Sequence, residues 1–149
     1  MPQMSLTDQL YTGITLTRPL LRHITARVER DLAGTGVSVG QRALLEALFH
    51  LKQATAPMIT KHLDVTRQFV GREIKSLLQN GMVETVENPR HRASNFYRLS
   101  DESRAMIAAI RAREMREIAE FAKGFTEEDI RGFYKILSTL TAEFSKSSP

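Results

Sequence analysis

Residues 57–81 read Pro57-Met-Ile-Thr-Lys-His-Leu-Asp-Val-Thr-Arg-Gln-Phe-Val-Gly-Arg-Glu-Ile-Lys-Ser-Leu-Leu-Gln-Asn-Gly81. Two short helices joined by a tight turn fit this stretch. Pro57 suits the first turn of a helix ending at Leu63, where its missing N–H costs nothing. Asp64-Val65-Thr66 makes the turn, and Thr66 is the expected N-cap of a second helix. Asn80-Gly81 is the stop signal of that helix. Ile59, Leu63, Val65, Val70, Ile74, Leu77 and Leu78 form a single apolar set that locks the two helices together. The opposite face of the second helix carries Thr66, Arg67, Gln68, Phe69, Arg72 and Lys75.

A helix with an apolar back and such a front suits a DNA major groove. Arginine reaches guanine edges or phosphates, glutamine reaches adenine, and a phenylalanine ring can touch a thymine methyl group. Lys75, deeper along the helix, reads as a phosphate contact. Lys61 and His62 lie on the first helix of the motif, which crosses the DNA backbone in such folds. A merely solvated helix face is the competing reading. The pattern does not divide these residues between bases and phosphates.

Downstream, Met82 to Glu87 is β-prone, Asn88-Pro89-Arg90-His91-Arg92 is turn-like and basic, and Asn95 to Leu99 is β-prone again. This predicts a two-stranded hairpin with an Arg-rich tip. A basic hairpin directly after a recognition helix is a wing, so Arg90, His91 and Arg92 join the candidate DNA-binding set. Ser100-Asp101-Glu102 caps a long helix with acidic residues in its first turn. Met106, Ile107, Ile110, Met115, Ile118 and Phe121 carry it to Lys123-Gly124. Thr126 opens a last helix, in which Ile130, Phe133, Leu137, Leu140 and Phe144 recur at 3-4-3-4 spacing, a two-heptad seam. Ser145 to Pro149 is expected to fray.

Upstream, Leu6, Leu10, Ile14, Leu20, Leu21, Ile24, Val28 and Leu32 predict a first helix from Leu6 to Ala33. Pro19 is expected to kink it or divide it, with the main part starting near Arg18. Gly34-Thr35-Gly36 ends it. Ser38 and Gln41 have capping-box spacing and open a second helix through Leu44, Leu45, Leu48 and Leu51. Ala54-Thr55-Ala56 is a short connector with room for one strand pair.

Composition bounds the function. The 149 residues, 42% of them apolar, suffice for one domain with its own core. There is no apolar run of about 18 residues to span a membrane, and the N-terminus lacks the basic-then-apolar pattern of a secretory signal. A cytoplasmic protein is expected. Zero cysteines exclude disulfides and thiolate metal sites. The net charge is +4. Between Lys61 and Arg98, seven Lys/Arg stand against four Asp/Glu, so a surplus of three falls on the helix–turn–helix and hairpin. Such a patch suits phosphate contact.

No paired carboxylates, Gly-rich phosphate loop or Ser-His-Asp signature appears, so no catalytic role and no cofactor is expected. Glu46 and His50, four apart on one helix face, have metal-ligand spacing. With no cysteine and no second histidine nearby, an ordinary helix contact is the stronger reading, and no metal is expected.

From Leu20 to Phe144 the chain resembles the MarR family of bacterial transcription regulators (multiple-antibiotic-resistance regulators). The residues that carry the resemblance run from Ile59-Thr-Lys-His-Leu-Asp-Val-Thr-Arg-Gln-Phe-Val70 through Leu77-Leu-Gln-Asn-Gly-Met-Val83, then the hairpin, then Leu99-Ser100 opening the next helix. The resemblance implies a mainly α fold with a small β-hairpin, built as a single MarR-like domain over 1–149. Residues 37–99 would form the winged helix-turn-helix DNA-binding lobe, and 1–36 with 100–149 the helical dimerisation lobe. It implies a homodimer held through the first and last helices, with Leu10, Ile14, Ile130, Phe133, Leu137, Leu140 and Phe144 at the contact. Double-stranded DNA with a pseudo-palindromic operator is the implied partner, and repression relieved by a small aromatic or anionic ligand the implied mode. Ligand pockets would lie where the first, second and fifth helices meet the DNA lobe, which makes His23, Arg27 and His50 candidates. Surface or dimer-contact residues are the plainer reading of those three.

The wing departs from the family pattern. Where family wings carry Asp-x-Arg, this chain has His91-Arg92-Ala93. Arg90 and Arg92 flank the place and supply the cation that minor-groove attraction needs, and His91 joins them when protonated. This altered wing is the support for a competing reading, a winged-helix ligand-binding or protein-interaction module that has lost DNA binding.

Overall fold

The computed structural model describes residues 2–90 and 93–146. The order is α1 (Leu6–Asp31), α2 (Val39–Leu51), β1 (Gln53–Ala54), α3 (Ala56–Leu63), α4 (Arg67–Gln79), β2 (Val83–Val86), β3 (Phe96–Leu99), α5 (Asp101–Ala122) and α6 (Glu127–Lys146). Contacts divide the chain into two units, Met1–Arg104 and Ala105–Pro149. Helix α1 thus groups with the winged helix.

Local chemistry sets most boundaries. Ser5, Ser38, Thr55 and Thr66 each cap a helix by accepting a backbone N–H, and the Ser38/Gln41 capping box is complete. Such a cap stabilises by about 1 kcal/mol. Helix α4 ends in a Schellman motif. The Met82 N–H donates to the Leu77 carbonyl at 3.0 Å and the Gly81 N–H to that of Leu78 at 3.2 Å. Gly81 takes φ +74° there, a conformation a side chain would strain.

The core of the first unit gathers Leu44, Leu45 and Leu48 of α2, Ile59 of α3, Val70, Ile74 and Leu77 of α4, and Val83 and Leu99 of the sheet. Burying each large side chain stabilises by about 1.5–3 kcal/mol. The hairpin pairs Val83 with Leu99, Glu84 with Arg98, Thr85 with Tyr97 and Val86 with Phe96. Ser103 Oγ, at the start of α5, donates to the Met82 carbonyl at 2.6 Å and ties that helix to the base of the hairpin.

The structure sharpens several sequence expectations. The sheet has three strands in the order β1-β3-β2, because Gln53 and Ala54 pair with Arg98 and Tyr97. Of the two outcomes expected at Pro19, division of the helix does not occur. Pro19 withholds one bond, that to the Thr15 carbonyl, and the exposed helix continues through it. Helix α6 extends to Lys146 and so includes Ser145 and Lys146, where the sequence predicts fraying; residues 147–149 lie outside the described residues.

In the second unit, Thr126 caps α6 reciprocally with Asp129, whose carboxylate accepts the Thr126 N–H at 3.0 Å. The Phe121 and Phe125 rings approach to 5.3 Å between centroids. With Ile118, Ile130 and Phe133 they line an apolar depression of about 600 Å³.

Candidate nucleic-acid interface

Helix α4 is the centre of the candidate site. Its inner stripe, Val70, Ile74 and Leu77, is buried to between 0% and 4% exposure. With that stripe fixed, the 100° step of an α-helix turns Arg67, Gln68, Gly71, Arg72 and Lys75 outward, and all five are exposed. Thr66 is spent on the cap, its Oγ1 accepting the Phe69 N–H at 3.1 Å. The turn before it is tight because Asp64 sits in the left-handed region at φ 54°, a conformation aspartate tolerates better than most residues. Lys61 and His62, in the last turn of α3, are also exposed.

Arg72 leans on its own helix. Its Nε lies 3.3 Å from Glu73 Oε1 and its guanidinium carbon 5.9 Å from the Phe69 ring centroid. The ion pair is largely solvated on the arginine side, so exchanging it for a phosphate or a base costs little. Phe69 differs from the other front residues. It is half-buried, and its ring lies over Gly40 in the first turn of α2.

At the wing, Asn88 is buried and its Oδ1 accepts the Arg90 N–H at 3.1 Å. That side-chain turn bends the loop and leaves Arg90 exposed. The sequence marks Asn88 as a turn former but carries no sign of its burial. Arg98 is directly opposite Glu84 and pairs with it at 3.1 Å. His91 and Arg92 lie outside the described residues.

The candidate ligand residues scatter. His23 is exposed on α1, and Arg27, four residues on, lies 4.0 Å from Asp31. His50 is exposed at the end of α2, and its ring is 6.5 Å from that of His62 on α3. A second histidine is therefore close, contrary to the sequence expectation, because the α2–β1–α3 connection folds back on itself. Glu46 is engaged by Arg42 at 3.1 Å. Among the described residues no group of three or more His, Cys, Asp or Glu is placed to hold a metal. A depression of about 590 Å³ at the α1–α2 turn is lined by other residues, Glu29, Leu32, Val37 and Gly40 among them.

The faces expected at a dimer contact are open. No described residue of α1 or α6 is buried. Leu10 is 46% exposed, Ile130 44%, Phe133 60%, Leu137 37% and Phe144 62%, while Ile14 and Leu140 are intermediate. No described helix is long and apolar enough to cross a membrane.

No protein-family model and no curated protein matches the chain. Solved structures do. The chain is similar to a MarR family transcription regulator at 42% identity and a TM-score of 0.84, over 94% of this chain and 93% of that one. It shares its fold with Streptococcus pneumoniae FabT in complex with DNA, at 18% identity and a TM-score of 0.80, over 93% of this chain and 99% of that one. It also shares it with a mutant MarR from E. coli complexed with operator DNA, at 16% identity and a TM-score of 0.73, over 91% and 98%. At 42% identity over nearly the whole length, together with the helix–turn–helix and wing described above, the chain belongs to the MarR family of transcription regulators.

Proposed function

We propose that this protein is a sequence-specific, DNA-binding repressor that works in the cytoplasm as a homodimer and is released by a small aromatic or anionic ligand. The observation that carries the reading is α4, whose apolar stripe is fully used inside the chain while Arg67, Gln68, Arg72 and Lys75 are exposed on its outer face. FabT and the E. coli MarR mutant of the same fold are in complex with DNA. Two copies, joined through α1 and α6, would present two such helices to a pseudo-palindrome whose half-sites are about 34 Å apart. Arg67, Gln68 and Arg72 would read base edges or phosphates, Lys75 would hold a phosphate, and Arg90 with its wing neighbours would enter the flanking minor groove. His23, Arg27 and His50 remain the proposed ligand contacts.

The test is a gel-shift assay on the promoter beside the protein's own gene. A discrete shift is expected that weakens steeply between about 50 and 200 mM salt and reverses with a member of a panel of aromatic acids. Failure to shift any fragment at low salt would favour the module that has lost DNA binding.

A further inference from the structure

We propose that Phe69 is a positioning residue, which fixes the roll of α4 and the place of Arg72 from a socket at Gly40 and does not itself touch DNA. This rests on the DNA-binding reading of α4. Four observations carry it. A Cβ built on Gly40 would lie 3.0 Å from two atoms of the Phe69 ring, a tight contact that the ring would have to yield to by a few tenths of an ångström. Gly40 does not take a left-handed backbone conformation, so what the site uses is the missing side chain. Two turns along the same flank of α4, Ser76 Oγ accepts a hydrogen bond from Gln41 Nε2 at 3.0 Å. Neighbouring residues of α2 thus hold α4 at points seven residues apart, about 10 Å along the axis, and a helix pinned twice on one flank cannot roll. Finally, Arg72 stands one turn from Phe69 with its guanidinium 5.9 Å from the ring centroid, within the range of cation–π attraction. A ring that is half-buried against Gly40 and faced by Arg72 is committed to its own chain.

The experiment is a pair of double-mutant cycles. The first measures unfolding without DNA. Gly40→Ala is expected to destabilise the chain carrying Phe69 and to stabilise the chain carrying Phe69→Ala, where only the helix-favouring effect of alanine remains. The same sign in both backgrounds would remove the socket. The second measures affinity for the promoter fragment. Phe69→Ala is expected to weaken binding about tenfold in the Arg72 chain and about threefold in the Arg72→Ala chain, where only the loss through the roll of α4 remains, whereas a role in folding alone gives equal losses. Phe69→Tyr should restore most of the affinity. Replacing each thymine of the site in turn by deoxyuridine separates the alternative. Loss of affinity at one thymine by the unsubstituted protein but not by Phe69→Ala would establish a methyl contact and overturn the proposal. If no DNA is bound at all, the DNA-binding reading fails, and with it the role assigned to Phe69, while the sign test still settles whether Gly40 is its socket.

Discussion

Helices α4 and α6 are both amphipathic, and they use their apolar faces in opposite ways. On α4, Val70 and Leu77 are fully buried and Ile74 nearly so. On α6 no residue is buried, and Phe133 and Phe144 keep about 60% of their surface in water. An apolar stripe of that size rarely stays uncovered. The apolar work of α4 is complete within one chain, so its polar face is what remains to act on something else. For α6 the reverse holds: its apolar seam is left open to solvent. The difference separates two proposals that the bare term regulator would merge, DNA at one helix and a second copy at the other.

The largest effect tests the inner side of α4. Leu77→Ala is expected to lower the unfolding free energy by about 2–5 kcal/mol in denaturant titration, the usual cost of emptying a fully buried leucine site. A loss under 1 kcal/mol would mean that α4 is not held by its core stripe. On α6, Phe133→Asp sets a charge in the proposed contact. A central interface aromatic typically contributes about 2 kcal/mol or more, so self-association should weaken roughly 30-fold or more in sedimentation equilibrium. An unchanged association constant would move the dimer contact elsewhere. On the outer side of α4, Arg72→Ala should cost about 1–3 kcal/mol of DNA affinity if it meets a base, with relaxed preference at one position. A uniform loss across sequences would reassign it to a phosphate.

These two helices also show what the sequence could reveal. The seam of α6 is written at heptad spacing, the caps of α2 and α4 stand beside the helices they stop or start, and Gly81 announces its own turn. Each of those signals is local. What escaped was non-local or too short. The connector had room for one strand pair, but that Gln53 and Ala54 pair with β3 could not be read, because two residues have no period to detect. His50 and His62 meet because two helices fold together. Phe69 lies next to Val70 in sequence, at the border between the buried and exposed faces of α4, and composition placed it with its charged neighbours. Its partner, Gly40, has no side chain to announce a contact. The buried stripe of α4 and its exposed front could be named in advance, whereas the Phe69–Gly40 and Gln41–Ser76 contacts could not.

The smallest effect in this series separates packing from partner binding most cleanly, because it concerns two glycines with no role inside the chain. Gly71 lies in α4 and Gly132 in α6; neither has positive φ, and a Cβ on either would meet nothing within 4 Å. A glycine in a helix interior costs about 1 kcal/mol relative to alanine. Gly71→Ala and Gly132→Ala should therefore each raise the unfolding free energy by about that amount, measured at one protein concentration. Their binding behaviour should differ. Gly71 lies between Arg67 and Arg72 on the exposed front, where a bare backbone allows close approach to DNA, so its substitution should weaken operator binding by a few fold. Gly132 sits one residue before Phe133, a 100° step off the seam, and its substitution should leave both self-association and DNA affinity within about twofold. A stabilised Gly71→Ala protein with undiminished DNA affinity would show that the backbone of α4 never comes close to the duplex. Contact would then be left to the long side chains of Arg67, Gln68, Arg72 and Lys75.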